Sequence, residues 1–369
     1  MAQQLVLVAD DAYRVLDEAF SARDIHRVFV VCDDALRFLR INAYFERQTD
    51  GRFVFFSDFS PNPQYTSIVE GVRRFRAEPF DAILAIGGGS AIDVAKCIKL
   101  FATMNEGVSY LDQPIISNEI PLLALPTTAG TGSEATRFAV IYANGEKQSI
   151  VHDSLIPSVV IMDASALLTL PDYQRKATMM DALCHAMESY WSVNSTEESR
   201  NYAKQALTLI LETKEGYLAN LPESNKAMLH AANIAGKAIN ITQTTAGHAM
   251  CYKLTSLYGL AHGHAAALCV AKLFPYMADH LDRCIDARGQ EYLRRIFGEI
   301  CALFRAEDAH QVGLMLDWML RDMGLMAPKA DANTDYDALV KSVNLTRLKN
   351  TPVELGNDAI DMLYHEIIK

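Results

Sequence analysis

Over its first ~170 residues the chain alternates short, apolar, β-branched runs with helical patterns, and this alternation restricts its fold more than any other feature. The runs are "HRVFVVCDD" (26–34), "GRFVFFSDF" (51–59), "DAILAIGGG" (81–89), "IPLLALPTTAG" (120–130) and "PSVVIMD" (157–163). Between them, "YTSIVEGVRRFRA" (65–77) and "SAIDVAKCIKLFAT" (90–103) carry helical spacing. Strands separated by helices line up in parallel, and a parallel sheet needs helices on both faces. Past Leu170–Pro171 the texture changes. Segments 173–192, 197–213, 224–241, 263–280, 289–304 and 309–323 read as helices with almost no strand signal among them. The expectation is an α/β domain over 1–171 with a parallel sheet, followed by an all-α domain over 172–369.

Length supports the division, since 369 residues exceed what a single core usually serves. A formal net charge of −11, with a pI near 5.4, excludes broad sequence-independent nucleic-acid binding, which needs a cationic field. It also means that an anionic ligand must meet locally placed Lys or Arg. Cys32, Cys97, Cys184, Cys251, Cys269, Cys284 and Cys301 are dispersed without a CxxC pair, the usage of a reduced, cytoplasmic protein. The opening "MAQQLVLVADDAYRVL" lacks the basic region and long apolar core of a signal peptide. No run approaches the ~20 apolar residues of a membrane span. A cytoplasmic protein without nucleic-acid or membrane partners is expected.

Two small-residue turns follow strand candidates. "AIGGGSAIDVAK" places Gly87, Gly88 and Gly89 between strand and helix, with Ser90 in the N-cap region. Glycines allow close backbone approach, and a helix N-terminus offers free N–H groups to a pyrophosphate. The pattern is not GxGxxG, and a tight connection would use the same residues. "ALPTTAGTGSEAT" (124–136) adds Thr127, Thr128, Thr131 and Ser133 after another buried run. Ligands bind at the carboxyl ends of parallel strands, so two such turns can grip a dinucleotide from both sides. Asp33, just past "VFVVC", could take the hydroxyls of an adenosine ribose and repel a 2′-phosphate, although Asp34 stands beside it.

In the second half, "DALCHAMES" (181–189) sets Asp181, His185 and Glu188 on one helix face at i, i+4 and i+7. A carboxylate and an imidazole one turn apart can hold a divalent metal or simply each other. "TTAGHAMCYKLTSLYGLAHGHAAALC" (244–269) adds His248, His262 and His264. Such a set suits Fe2+ or Zn2+, and equally suits satisfied histidines near helix ends.

Taken together, "GGGSAIDVAK", "PTTAGTGSEAT", "DALCHAMESYWS" and "GHAMCYKLTSLYGLAHG" resemble, in order and spacing, the iron-containing (group III metal-dependent) alcohol dehydrogenase family. The resemblance implies a Rossmann-like, dinucleotide-binding first domain, a helical metal- and substrate-binding second domain, and dehydroquinate synthase-like architecture. It implies a metal, Fe2+ or alternatively Zn2+, on Asp181, His185, His248 and His262. It further implies a nicotinamide cofactor, NAD(H) rather than NADP(H). Its contacts would be Asp33, Asn62 of "SPNPQ", Gly87, Gly88, Gly89, Ser90, Asp93, Thr127, Thr128, Thr131 and Lys147 of "EKQSI". Glu188 is left a supporting role, and His264 neither ligation nor catalysis. A homodimer paired through N-terminal strands is the family expectation.

One departure bears on substrate. Many members carry a second His four residues after the ligand at 248, followed by Pro; here Tyr252 and Lys253 stand there. "HAMCYKLTSLYG" with "ESYWSVNSTEESRNYA" resembles the phosphonoacetaldehyde reductase branch, which forms 2-hydroxyethylphosphonate. An ammonium at Lys253 would suit such a dianion. Arg137 and Arg347 are further cations, more readily read as structural. The implied chemistry is metal polarisation of the aldehyde and hydride delivery from nicotinamide in a cleft between the halves, with Tyr252 orienting substrate or delivering the proton. Two alternatives stay open. The same chemistry could act on an uncharged aldehyde or diol of the lactaldehyde or propanediol type, or the same ligand set could serve a metal-dependent lyase or hydrolase.

Overall fold

The computed structural model describes residues 4–331, 334–343 and 345–368. The chain divides into two units, Met1–Leu170 with Asn220–Asn233, and Pro171–Ala219 with Ile234–Lys369.

The first unit is built on strands β1 (Leu5–Val8), β2 (Val28–Cys32), β3 (Phe53–Phe56), β4 (Ala82–Gly87), β5 (Leu122–Pro126), β6 (Phe138–Ala143), β7 (Glu146–Val151) and β8 (Val159–Met162). Helices α1 (Arg14–Ser21), α2 (Asn42–Glu46), α3 (Tyr65–Ala77) and α4 (Gly89–Phe101) lie between them. Six strands form one parallel sheet in the order β1-β8-β5-β4-β2-β3. Every residue of β2, β4, β5 and β8 is buried, as expected of strands covered on both faces. Alternation along β2 sends Phe29 and Val31 into the core under α3 and α4, and Val28 and Val30 into the core under α1.

After β3 the chain returns to place β4 on the other side of β2. The strand order therefore reverses between β2 and β4, where an open parallel sheet leaves a crevice at its carboxyl ends.

Two elements lie outside the sequence expectation. Edge strand β1 (LVLV) is short and partly exposed. The hairpin β6–β7 occupies a stretch where no strand is expected. Its Asn144–Gly145 turn has both φ angles positive, 53° and 80°, and Asn-Gly between strands is a known hairpin signal.

In the second unit come α5 (Asp172–Trp191), α6 (Glu197–Leu218), α7 (Pro222–Thr242), α8 (Ala246–Tyr258), α9 (His262–Asp279), α10 (Gln290–Phe304), α11 (Ala309–Asp322), α12 (Tyr336–Lys341), α13 (Leu345–Leu348) and α14 (Asn357–Ile367). The first half of α7 groups with the sheet, although sequence reading assigns all of it to the helical domain. Helix α5 is buried almost all round, so it is the axis of this unit, packed by α6 and α9. Gly259, in the left-handed conformation at φ 65°, ends α8 and lets α9 begin at His262. Among the described residues no helix is long and apolar enough to cross a membrane.

Candidate metal and dinucleotide site

The switch point gathers the first set of expected residues. Strand β4 ends on Gly87, whose φ of 155° disfavours any side chain and whose added Cβ would meet Ala91 Cβ at 2.6 Å. The same Cβ would lie 3.5 Å from Asp33 Oδ2, so Asp33 reaches the turn from the end of β2. Its Oδ1 accepts from Ala35 N at 3.0 Å, which fixes the carboxylate; Asp34 is exposed.

Thr127 N donates to Gly87 O at 3.1 Å, pinning the second turn to the first. A Cβ on Gly88 would stand 3.2 Å from Thr128 Cγ2, and one on Gly89 3.0 Å from Thr131 Cγ2. Asp33, Gly87, Gly88, Gly89, Thr127, Thr128 and Thr131 thus share one crevice, and Ser90 is partly exposed on the first turn of α4. The N-cap of α4 is Gly88, which has no side chain to occupy the first N–H groups. Those groups are the donors a pyrophosphate needs.

Three expected contacts stand differently. Asp93 is committed to the protein: Oδ1 accepts from Ser133 Oγ at 2.6 Å and Oδ2 from Val140 N at 2.9 Å. Through these bonds it holds the threonine turn and the hairpin. Lys147, on β7, is among the cations acting on Asp93. Asn62 is exposed at φ 59°, next to Pro63, whose carbonyl accepts from Tyr142 N. Sequence reasoning passes over Lys96, whose buried Nζ donates among Ser133 Oγ, Thr136 O and Oγ1, and Phe138 O at 2.6 to 3.2 Å. The available signal was a lysine three residues after Asp93 on a helix that is mostly apolar.

The second set converges in the helical unit. Asp181 and His185 lie on α5, His248 on the first turn of α8, and His262 at the start of α9. Asp181, His248 and His262 offer ligand atoms all within 4.8 Å of one another. His248 Nε2 lies 3.3 Å and His185 Nε2 3.9 Å from Asp181 Oδ1. The rings of His185 and His248 stack at 4.5 Å.

Glu188, one face-turn along α5, meets His248 Nδ1 and also accepts from Thr245 N at 3.0 Å and Thr245 Oγ1 at 2.5 Å. A carboxylate behind an imidazole fixes which nitrogen keeps the proton and leaves Nε2 to face a cation. Burial alone would raise the Asp181 carboxyl, but His185, His248 and His262 outweigh it and hold it well below the usual carboxylate range. Burial likewise opposes charge on His248, yet Glu188 and Asp181 push that imidazole up to about 9. Two buried carboxylates kept ionised among three imidazoles form a hard-to-borderline donor set, which fits a divalent cation such as Fe2+ or Zn2+.

Packing supplies what spacing does not show. A Cβ on Gly263 would meet Ala177 O at 2.2 Å and Asp181 N at 2.8 Å, so only glycine lets α9 approach α5 beside this cluster. Tyr252 stacks on His262 at 5.5 Å and 7°. Lys253, partly exposed, lies five residues past His248, roughly 140° around the helix from it. Arg137 pairs with Asp153 and Arg347 donates to Gln243. His264 meets the Tyr173 hydroxyl at 3.1 Å.

Comparison with known proteins follows the same division. The model of the iron-containing alcohol dehydrogenases matches residues 4–164, and that of the Fe-containing alcohol dehydrogenase family, C-terminal, matches 176–368. Phosphonoacetaldehyde reductase of Streptomyces viridochromogenes is 30% identical over 317 residues, 81% of this chain and 79% of that protein. An aldehyde-alcohol dehydrogenase of Streptococcus pneumoniae is 34% identical over 277 residues, 69% of this chain; the match spans only 31% of that longer protein. The crystal structure of sulfoacetaldehyde reductase from Bifidobacterium kashiwanohense in complex with NAD+ aligns with a TM-score of 0.86 at 27% identity, covering 100% of this chain and 97% of that one. On sequence and fold alike, the chain belongs to the iron-containing alcohol dehydrogenase family.

Proposed function

We propose that this chain is a metal-dependent, NAD(H)-using reductase of small aldehydes, acting on an aldehyde with an anionic end, phosphonoacetaldehyde foremost, to give the primary alcohol. The observation that carries the activity is the convergence of Asp181, His248 and His262, with His185 beside them, on one point in the helical unit. The crevice of Asp33, Gly87–Gly89 and Thr127–Thr131 supports the dinucleotide. When bound, a divalent cation on the four ligands would polarise the aldehyde oxygen and a nicotinamide would supply hydride. Glu188 keeps His248 oriented for that cation. Tyr252, flat against His262, holds the ring and carries the phenol we assign to proton delivery.

Two relatives named for anionic two-carbon aldehydes support the substrate class, one phosphonate and one sulfonate. Lys253 is the cation we assign to that anionic group. A second reading, reduction of an uncharged aldehyde or diol, draws support from Lys253 lying around the helix from His248 and from Arg137 being paired already.

Loss of NADH absorbance with phosphonoacetaldehyde, lactaldehyde and propionaldehyde, each with NADH and NADPH, separates the two. We expect kcat/KM at least about tenfold higher for the phosphonate, a preference that Lys253→Ala largely removes, and NADH favoured over NADPH. Equal turnover of the neutral aldehydes, or a preference unchanged in Lys253→Ala, would favour the second reading.

A further inference from the structure

A neutral imidazole has one N–H and one lone pair, so a ring that ligates through one nitrogen needs the other held as a donor. His248 has Glu188 for this. At His262 a sulfur approaches Nδ1: Cys251 Sγ lies 3.5 Å away. The same sulfur lies 3.3 Å from the backbone oxygen of His248, one turn back on α8.

Cys251 is fully buried, and its contact with the His248 carbonyl is buried too, while the contact with the partly exposed His262 is part-buried. A thiol has one proton to give. The carbonyl of His248 can only accept, so that contact uses the S–H as donor. The sulfur lone pairs then face His262 Nδ1, which must carry a proton. The opposite assignment would set sulfur and carbonyl lone pairs against each other at 3.3 Å. It would also place the His262 proton on Nε2, where it blocks ligation.

We infer that Cys251 is a positioning residue of the metal centre: through the relay His262 Nδ1–H to Cys251 Sγ, and Cys251 S–H to His248 O, it fixes the tautomer of His262 and turns its Nε2 toward the cation. Tyr252 holds the plane of the same ring by stacking, while Cys251 decides which nitrogen bears hydrogen. The two outer imidazoles are thus oriented by different chemistries, a carboxylate behind His248 and a thiol behind His262. The inference rests on the metal-centre reading given above.

The test titrates metal-free protein with Zn2+ against a competing chelator, in wild type, Cys251→Ala and Cys251→Ser, with histidine 15N shifts reporting tautomers. Cys251→Ala is expected to bind about tenfold more weakly, the lower end of what a lost partner behind a ligand costs. It should also lose the fixed Nδ1–H signal of His262. Cys251→Ser, whose hydroxyl can accept and donate along the same path, should recover most of both. Affinity and tautomer unchanged in Cys251→Ala, or Cys251→Ser no better than Cys251→Ala, overturns the relay while leaving the metal centre standing. Wild-type protein that takes up no divalent cation overturns the metal-centre reading and the relay with it.

Discussion

Gly263 directly follows the proposed ligand His262 and has no side chain to offer chemistry, yet the geometry of the cluster depends on it. Its Cα stands so close to α5 that an added methyl would lie 2.2 Å from Ala177 O and 2.4 Å from Asp181 Cβ. Both obstacles belong to a buried helix whose backbone cannot swing aside as a flexible side chain would. Gly263→Ala must therefore push the start of α9 off α5, taking His262 away from Asp181. Overpacking of this kind costs about 1–3 kcal/mol, and urea unfolding should show that loss. Chelator competition should show a larger effect on metal affinity than the substitution Gly298→Ala, where a Cβ meets nothing within 4 Å. Equal metal affinity in the two variants would contradict the account. The contrast marks how far residue types alone can be read. Asp181, His185, His248 and His262 stand out in the sequence because carboxylate and imidazole are the side chains from which a divalent-metal site would be built. Gly263 and Cys251 matter through distances between helices, which no spacing along the chain encodes.

At the scale of elements, α4 is the piece that the sequence locates well and explains least. Its apolar run and the glycines before it fix its place after β4. The reason it carries Lys96 emerges only when the threonine turn folds against it and surrounds the ammonium with oxygen atoms. Likewise Asp93 belongs to the turn's support, because the hairpin missing from the sequence reading supplies Val140 N as its partner. The threonine turn is therefore held by Asp93 with the buried Ser133 and Lys96, and this set has a titration signature. Burial pushes Lys96 down to about 8 against the pull of Asp93 and Glu134, and pushes the Asp93 carboxyl up. For Lys96 the unfolded chain keeps its proton to a higher pH than the folded chain does. Between about pH 8 and 10.5 the unfolded state thus binds more protons, so this group makes stability rise with pH; below 8 its unfavourable contribution is constant. The rise is bounded by roughly 3 kcal/mol. Subtracting the urea stability of Lys96→Met from that of wild type across this window should isolate it, since the remaining groups titrate in both proteins. Parallel curves from pH 8 upward would show that the ammonium stays charged in its oxygen cage.

For the molecule as a whole, the division near Leu170 is legible because strand periodicity stops there. The grouping of 220–233 with the sheet is not, because α7 is one uninterrupted helical pattern and its burial partners leave no mark in that period. Function divides with the fold. The proposed metal ligands lie on α5, α8 and α9, all within the helical unit, whereas Asp33, Gly87–Ser90 and Thr127–Thr131 lie within the sheet unit. Each ligand should then stabilise its own unit, by about 2.7 kcal/mol at a hundredfold excess over Kd. Native-state hydrogen exchange reads the two separately, because local opening differs from segment to segment. Stripping the metal with a chelator should speed exchange in α5, α8 and the first turn of α9 and leave β2, β4 and β5 unchanged. Adding NAD+ to metal-free protein should slow exchange at the first turn of α4 and over 127–133, and leave α5 unchanged. Metal removal that loosens β4 as much as α5 would mean that the two sites answer to one cooperative unit, and the assignment of one ligand to each half would fall.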